Sequence, residues 1–207
     1  MIIWSILCFI LSYLLGSIPF ALVIGKVFYH TDVRKYGSGN LGGTNAGRVL
    51  GKKAGIAVIV CDALKVVLAV GISSLVSQNV AIWSGLFCCI GHCYPVFAHF
   101  KGGKAVASMF GYLLAISIFV FKDAWYFIVP LLMFFAILFI FKYVSLGSLC
   151  ASIASTIYIL ANNLQFNFSS ISIIIASILM TALVIYRHAP NIEKIENGTE
   201  NKVSWLK

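Results

Sequence analysis

AGIAVIVCDALKVVLAVGISSLVS, residues 54–77, decides the fold. This run carries only two charges, Asp62 and Lys65, and shows no alternation of apolar and polar positions. A half-exposed strand would alternate and end within about 10 residues. A helix of about 20 apolar residues spans the roughly 30 Å hydrocarbon core of a bilayer. The stretch therefore reads as a membrane helix. Charges inside such a helix are costly unless paired or turned inward. The i,i+3 spacing lets Asp62 and Lys65 neutralise each other, and it equally leaves Lys65 free to reach a ligand.

Further apolar runs lie at 2–25, 80–97, 105–121, 124–141, 144–161 and 171–186, giving seven in all. The chain is 61% hydrophobic and 10% charged, whereas a soluble domain carries about 25% charged residues. The expected fold is an all-α integral membrane protein, one polytopic domain over 1–207 built as a bundle of about seven transmembrane helices. The run at 2–25 has no basic leader and is too long for a signal-peptide core, so it counts as a span. The six cysteines lie in or beside apolar runs, where a thiol behaves as a small hydrophobe. Neither a disulfide nor a metal site is expected from them.

Alternate connections lie on opposite sides of a membrane. The loops at 26–53 and 98–104, the junction at 142–143 and the tail at 187–207 share one side. They hold Lys26, Arg34, Lys35, Arg48, Lys52, Lys53, Lys101, Lys104, Lys142, Arg187, Lys194, Lys202 and Lys207, thirteen of the fifteen basic residues. The other side has Lys122 alone. Basic loops stay in the cytoplasm, which puts the N-terminus outside and the C-terminus inside. The net charge of +9 thus marks a membrane face. No soluble module presents it to nucleic acid, and no nucleic-acid partner is expected.

The same loops hold the polar chemistry. Gly37-Ser38-Gly39-Asn40-Leu41-Gly42-Gly43-Thr44-Asn45-Ala46-Gly47-Arg48 combines glycines, which let backbone N–H groups converge on an anion, with hydroxyl and amide donors and a guanidinium fork. It is neither a Walker A loop nor a dinucleotide fingerprint. In the second loop, His92 precedes Lys101-Gly102-Gly103-Lys104, where two lysines flank two glycines just before a helix. That is a second expected anion cradle. The bland readings are a long interfacial loop that needs glycines to turn, and a pair of lysines reaching for the interface. Two cradles on one face favour two phosphorylated ligands. The tail adds His188 and Asn191, three apart, and Ser145 follows the boundary at Lys142-Tyr143.

Together these segments resemble the bacterial acyl-phosphate-dependent glycerol-3-phosphate acyltransferases over essentially the whole chain. The matching motifs are 37–51, 91–108 and 188–202, with 16–20 and 143–146 as further similar segments. The departures are Gly43 where Ala is usual, Ala105 for Gly, Ser108 for Thr, Lys194 for Arg and Val66 for Gly. Ala105 is expected to shift the start of the next helix.

The resemblance implies transfer of a fatty acyl group from acyl phosphate to the sn-1 hydroxyl of glycerol 3-phosphate, the first step of phospholipid synthesis. It implies no cofactor, no metal and no docking of CoA or acyl carrier protein. It places the enzyme among the lipids of the bacterial inner membrane, its site facing the cytoplasm. Ser38, Arg48, Lys104, His188 and Asn191 are the expected catalytic residues. Gly37, Gly39, Asn40, Thr44, Asn45, Lys65, His92, Lys101, Gly102, Gly103 and Ser145 are the expected substrate contacts. The proton of the attacking hydroxyl goes either to His188 with Asn191 or to a substrate phosphate.

Other classes fit less well. A His-x-x-x-x-Asp acyltransferase needs Asp five residues after a histidine, and His30, His92, His99 and His188 are followed there by Lys35, Phe97, Lys104 and Glu193. No G-x-S-x-G elbow is present. An anion transporter would gather its polar groups at mid-bilayer, and here only Asp62 and Lys65 lie deep.

Overall fold

The computed structural model describes residues 2–165 and 168–203. Lys207, one of the thirteen basic residues on that side, lies outside them. Among the described residues the chain is all helix, with no strand: α1 (Ile2–Gly16), α2 (Phe20–Tyr29), α3 (Gly43–Leu50), α4 (Lys52–Ser74), α5 (Gln78–Cys93), α6 (Val106–Phe119), α7 (Trp125–Phe141), α8 (Val144–Asn162), α9 (Phe168–Arg187) and α10 (Ala189–Glu196), with short 3-10 turns at Val33–Lys35 and Val96–Ala98.

Each of the seven apolar runs becomes helix. Four helical stretches are long and apolar enough to cross a membrane, five if α1 and α2 count as one broken span. The remaining two, α6 and α7, are shorter apolar helices. The 14 residues of α6 make about 21 Å of helix.

The run at 2–25 departs from a single span. It breaks after Gly16, and α2 leaves at 43° to α1. Pro19 supplies no N–H and pushes Ile18 out of helical conformation, so α2 restarts from Pro19 as its N-cap.

The core lies between α4, α5 and α6, with α9 closing it. Met109, Tyr112, Leu113 and Ile116 of α6 are fully buried against Val66, Val70, Ala81 and Leu86. On α4 the outward residues Ile56, Leu64, Leu68 and Ile72 are more than half exposed, while Asp62 and Lys65 are buried. This inside-out pattern is the one a lipid solvent selects. A second cluster of Ala21, Leu22, Val33, Leu41, Ala46, Val58 and Ala98 pins α2, the glycine-rich loop and α3 against α4.

Candidate active site

Three segments far apart in sequence meet beyond the ends of α5, α7 and α9. Lys104 Nζ donates a hydrogen bond to Asn191 Oδ1. Asn191 Nδ2 donates to Glu200 Oε1 at 2.8 Å, and Ser145 Oγ donates to the same oxygen at 2.8 Å. Lys104 and Asn191 come from the second loop and the first turn of α10, Ser145 from the start of α8 and Glu200 from the tail. The tail is strapped down beyond Glu200, where Val203 N–H donates to Lys142 C=O at 2.9 Å and Lys202 Nζ sits 5.6 Å above the Tyr143 ring.

Burial lowers the Lys104 pKa; the Glu200 carboxylate opposes that shift, and the charges of Lys194, Arg187 and Arg48 reinforce it. Arg48, on the last turn of α3, thereby joins the cluster through its field. His188 caps α10 and is buried. Its Nδ1 lies 2.8 Å from Val184 C=O, and since a carbonyl only accepts, Nδ1 carries the hydrogen and Nε2 presents a lone pair. Burial drives the His188 pKa down to about 4.

The glycines of the second loop act differently from the expected cradle. Gly102 N–H donates to Cys93 C=O at 3.1 Å and Gly103 N–H to His92 C=O at 3.0 Å, so neither is free for an anion. Their small size is what matters, because a Cβ on Gly103 would fall 2.0 Å from His92 Nε2. Arg187 clamps this turn from below, donating from Nε to Gly103 C=O and from Nη2 to Gly102 C=O, both at 3.1 Å, with its guanidinium 5.3 Å from the Tyr94 ring.

The first loop is likewise tied to itself. Asn45 Oδ1 accepts from Ser38 N–H at 2.8 Å, while Asn45 Nδ2 donates to Val33 C=O at 3.0 Å and Tyr36 C=O at 3.3 Å. Asn45 is therefore a buried brace of this loop. Gly37 and Gly39 hold left-handed φ of 61° and 68°, and Gly39 N–H is taken by Tyr36 C=O. The first amides of α3, whose N-cap Gly42 brings no side-chain cap, are among the donors left open. Ser38, Thr44, Arg48 and Lys101 are exposed and Asn40 is half-buried.

Lys65 and His92, also expected to touch substrate, are buried in a triad. Lys65 Nζ lies 2.8 Å from Asp62 Oδ1 and donates to Ile18 C=O at 3.0 Å. His92 Nδ1 is 3.1 Å from Lys65 Nζ and 3.3 Å from Asp62 Oδ1. The triad joins the α1–α2 break to the second loop. All three of its members are buried.

Sequence reasoning missed Arg187 and Glu200. Arg187 counted only toward the charge asymmetry. Glu200 is one of six acidic residues in the chain, and Glu193 and Glu196 share the tail with it, so nothing in the sequence singled it out.

Ala105 lies fully buried at φ 60°, as the N-cap of α6. An alanine in the left-handed region costs about 1 kcal/mol or more relative to glycine. Ala105→Gly is expected to raise the thermal midpoint in detergent by about 2–4 °C; an unchanged or lower midpoint in a fluorimetric melt would contradict this.

Apolar helices that carry cations, an amide, a carboxylate and a neutral imidazole at one end define a membrane protein that handles anionic ligands in a partly desolvated polar site. Residues 6–198 match the glycerol-3-phosphate acyltransferase family model. The chain belongs to that family, and it is an acyltransferase acting on glycerol 3-phosphate. It is similar to a glycerol-3-phosphate acyltransferase of Bacillus cytotoxicus, with 45% identity over 97% of this chain and 96% of that one. One of Geobacillus kaustophilus shares 44% identity over 96% of each chain. The crystal structure of PlsY (YgiH), an integral membrane glycerol 3-phosphate acyltransferase, in its glycerol 3-phosphate form superposes with TM-score 0.87 at 35% identity, covering 98% of this chain and 96% of that chain. Its lysophosphatidic acid form gives 0.85 at 34%.

Proposed function

We propose that the acyl donor is a fatty acyl phosphate, that seven crossings place the N-terminus outside, and that the cluster around Lys104 works at the cytoplasmic face of the inner membrane. The observation that carries this is the meeting of Lys104, Asn191, Ser145 and Glu200 with Arg48 and His188 nearby. The seven apolar helical segments and the one-sided basic loops support the orientation. One site at the surface of such a bundle can take a water-soluble acceptor from outside the membrane while the donor's chain stays among the helices.

The acceptor hydroxyl attacks the acyl carbonyl, a new C–O ester bond forms, and the C–O bond to phosphate breaks with its electron pair leaving on inorganic phosphate. Lys104, Arg48 and the amides of α3 stabilise that negative charge. Ser38 and Thr44, exposed beside those amides, add hydroxyl donors. His188 Nε2 accepts from the attacking hydroxyl and orients it. At a pKa of about 4 the imidazole is too weak a base to keep the proton, whereas a phosphate with a second pKa near 6 can. The leaving phosphate is the proton's destination.

It follows that His188 contributes no acid limb to kcat/KM, which reports the free enzyme, at the 6.5 of a free imidazole; its limb falls near pH 4. The folded-state pKa is depressed, so the unfolded chain binds more protons between those values. Stability from this group is complete above 6.5 and is lost as pH falls toward 4. A limb at 6.5 that vanishes in His188→Gln would reverse the assignment.

Purified protein given palmitoyl phosphate and glycerol 3-phosphate is expected to release phosphate and lysophosphatidic acid, with no transfer from palmitoyl-CoA. Turnover with the thioester alone would remove the donor assignment and leave the acyltransferase itself standing.

A further inference from the structure

A cavity of about 530 Å³ lies outside the cluster just described, lined by Lys26, His30, Thr31, Asp32, Lys35 and Tyr36. None of the proposed catalytic residues lines it. Asp32 accepts from Arg34 Nε at 2.9 Å and from Arg34 Nη2 and is held at about pKa 2 chiefly by that bond. Its charge is spent on Arg34. Among the described residues neither Lys26 nor Lys35 forms an ion pair, so the cavity keeps an excess of positive charge.

Its setting names the occupant. Lys26 and His30 flank Val27, Phe28 and Tyr29 on α2, and Phe28 is 72% exposed. Apolar and aromatic side chains turned outward beside free cations put this end of α2 at the level of lipid headgroups. Tyr36, exposed and also lining the cavity, offers a hydroxyl. A soluble anion has no use for the Phe28 face, whereas a phospholipid lays its chains along it.

We propose that this cavity binds the phosphate of an anionic phospholipid headgroup, with Lys26 and Lys35 as the cationic contacts and the lipid chains against Val27 and Phe28. The site is separate from acyl transfer and rests only on placing this face at the membrane surface.

The test is native mass spectrometry of delipidated protein titrated with phosphatidylglycerol or phosphatidylcholine, comparing wild type with Lys26→Gln/Lys35→Gln. Each lysine near an anionic lipid is worth about fivefold, so phosphatidylglycerol affinity should fall about five- to twentyfold in the variant while phosphatidylcholine binding stays as it was. Equal affinity in the two proteins, or equal preference for both lipids, overturns the proposal. Inorganic phosphate should leave the lipid bound; displacement by phosphate alone would mark a soluble-anion site instead. Acyl transfer in detergent at saturating substrate should be unchanged in the variant. A loss of turnover alongside lipid binding would place these lysines in the catalytic site and refute a separate one.

Discussion

Lys104→Ala is expected to lower kcat/KM by about two to three orders of magnitude, the cost of losing a pre-positioned charge at a developing anion. Lys104 is half-buried, bonded to Asn191 and embedded in the fields of Arg48, Arg187 and Lys194. Holding four cations together is unfavourable without an anion, and Glu200 opposes them at Lys104. Substrate phosphate completes the balance, and charge leaving on phosphate strengthens it. Lys104→Met keeps the apolar stem and removes the charge, so it should lose the same activity while melting close to wild type. Arg48, exposed on α3, should give a similar loss through kcat without a change in stability. Full turnover by either variant with saturating acyl phosphate and glycerol 3-phosphate would show that the positive field lies elsewhere.

The sequence carried the span pattern because lipid selects long apolar runs whatever their partners. It did not carry α3 and α10. The eight residues of α3 contain Gly43 and Gly47 and have poor intrinsic propensity; packing of Gly47 against Gly55 on α4, where a Cβ on Gly55 would meet Gly47 Cα at 2.7 Å, holds it in place. The break at Ser17-Ile18-Pro19 was visible as a proline, yet hydropathy reads straight through it.

The site divides in the same way. Rare charges and an imidazole, Arg48, Lys104 and His188, announce themselves in so apolar a chain. Their partners do not, because Ser145 and Glu200 are 55 residues apart. Nor does spacing reveal which amides are already spent. Gly102, Gly103, Ser38 and Gly39 look available in sequence and are occupied in the fold.

Asp62→Ala should be the most damaging substitution in the bundle's interior. Lys65 and Asp62 are both buried at 2.8 Å, and removing one partner of a buried pair costs about 3–5 kcal/mol because the remaining charge is stranded. For a chain of this size that is a fall of about 10 °C in the thermal midpoint, and a hydrocarbon surround offers Lys65 no water to turn to. The damage should spread along the triad. Lys65 also ties Ile18 at the α1–α2 break, and His92 sits between the pair and the Gly102–Gly103 turn. Activity should therefore fall with stability although Asp62 touches no substrate. Asp62→Leu with Lys65→Met separates the two effects. Asp62 Oδ2 has no hydrogen-bond donor among the described residues, so the native pair is incompletely compensated and its apolar replacement should recover most of the lost stability. The double variant should still transfer acyl groups poorly, since the loop loses its anchor at His92. If Asp62→Ala melted like wild type, the triad would be solvated in a way these contacts do not allow; if the double variant regained full turnover, its role would be burial alone and the second loop would hold itself.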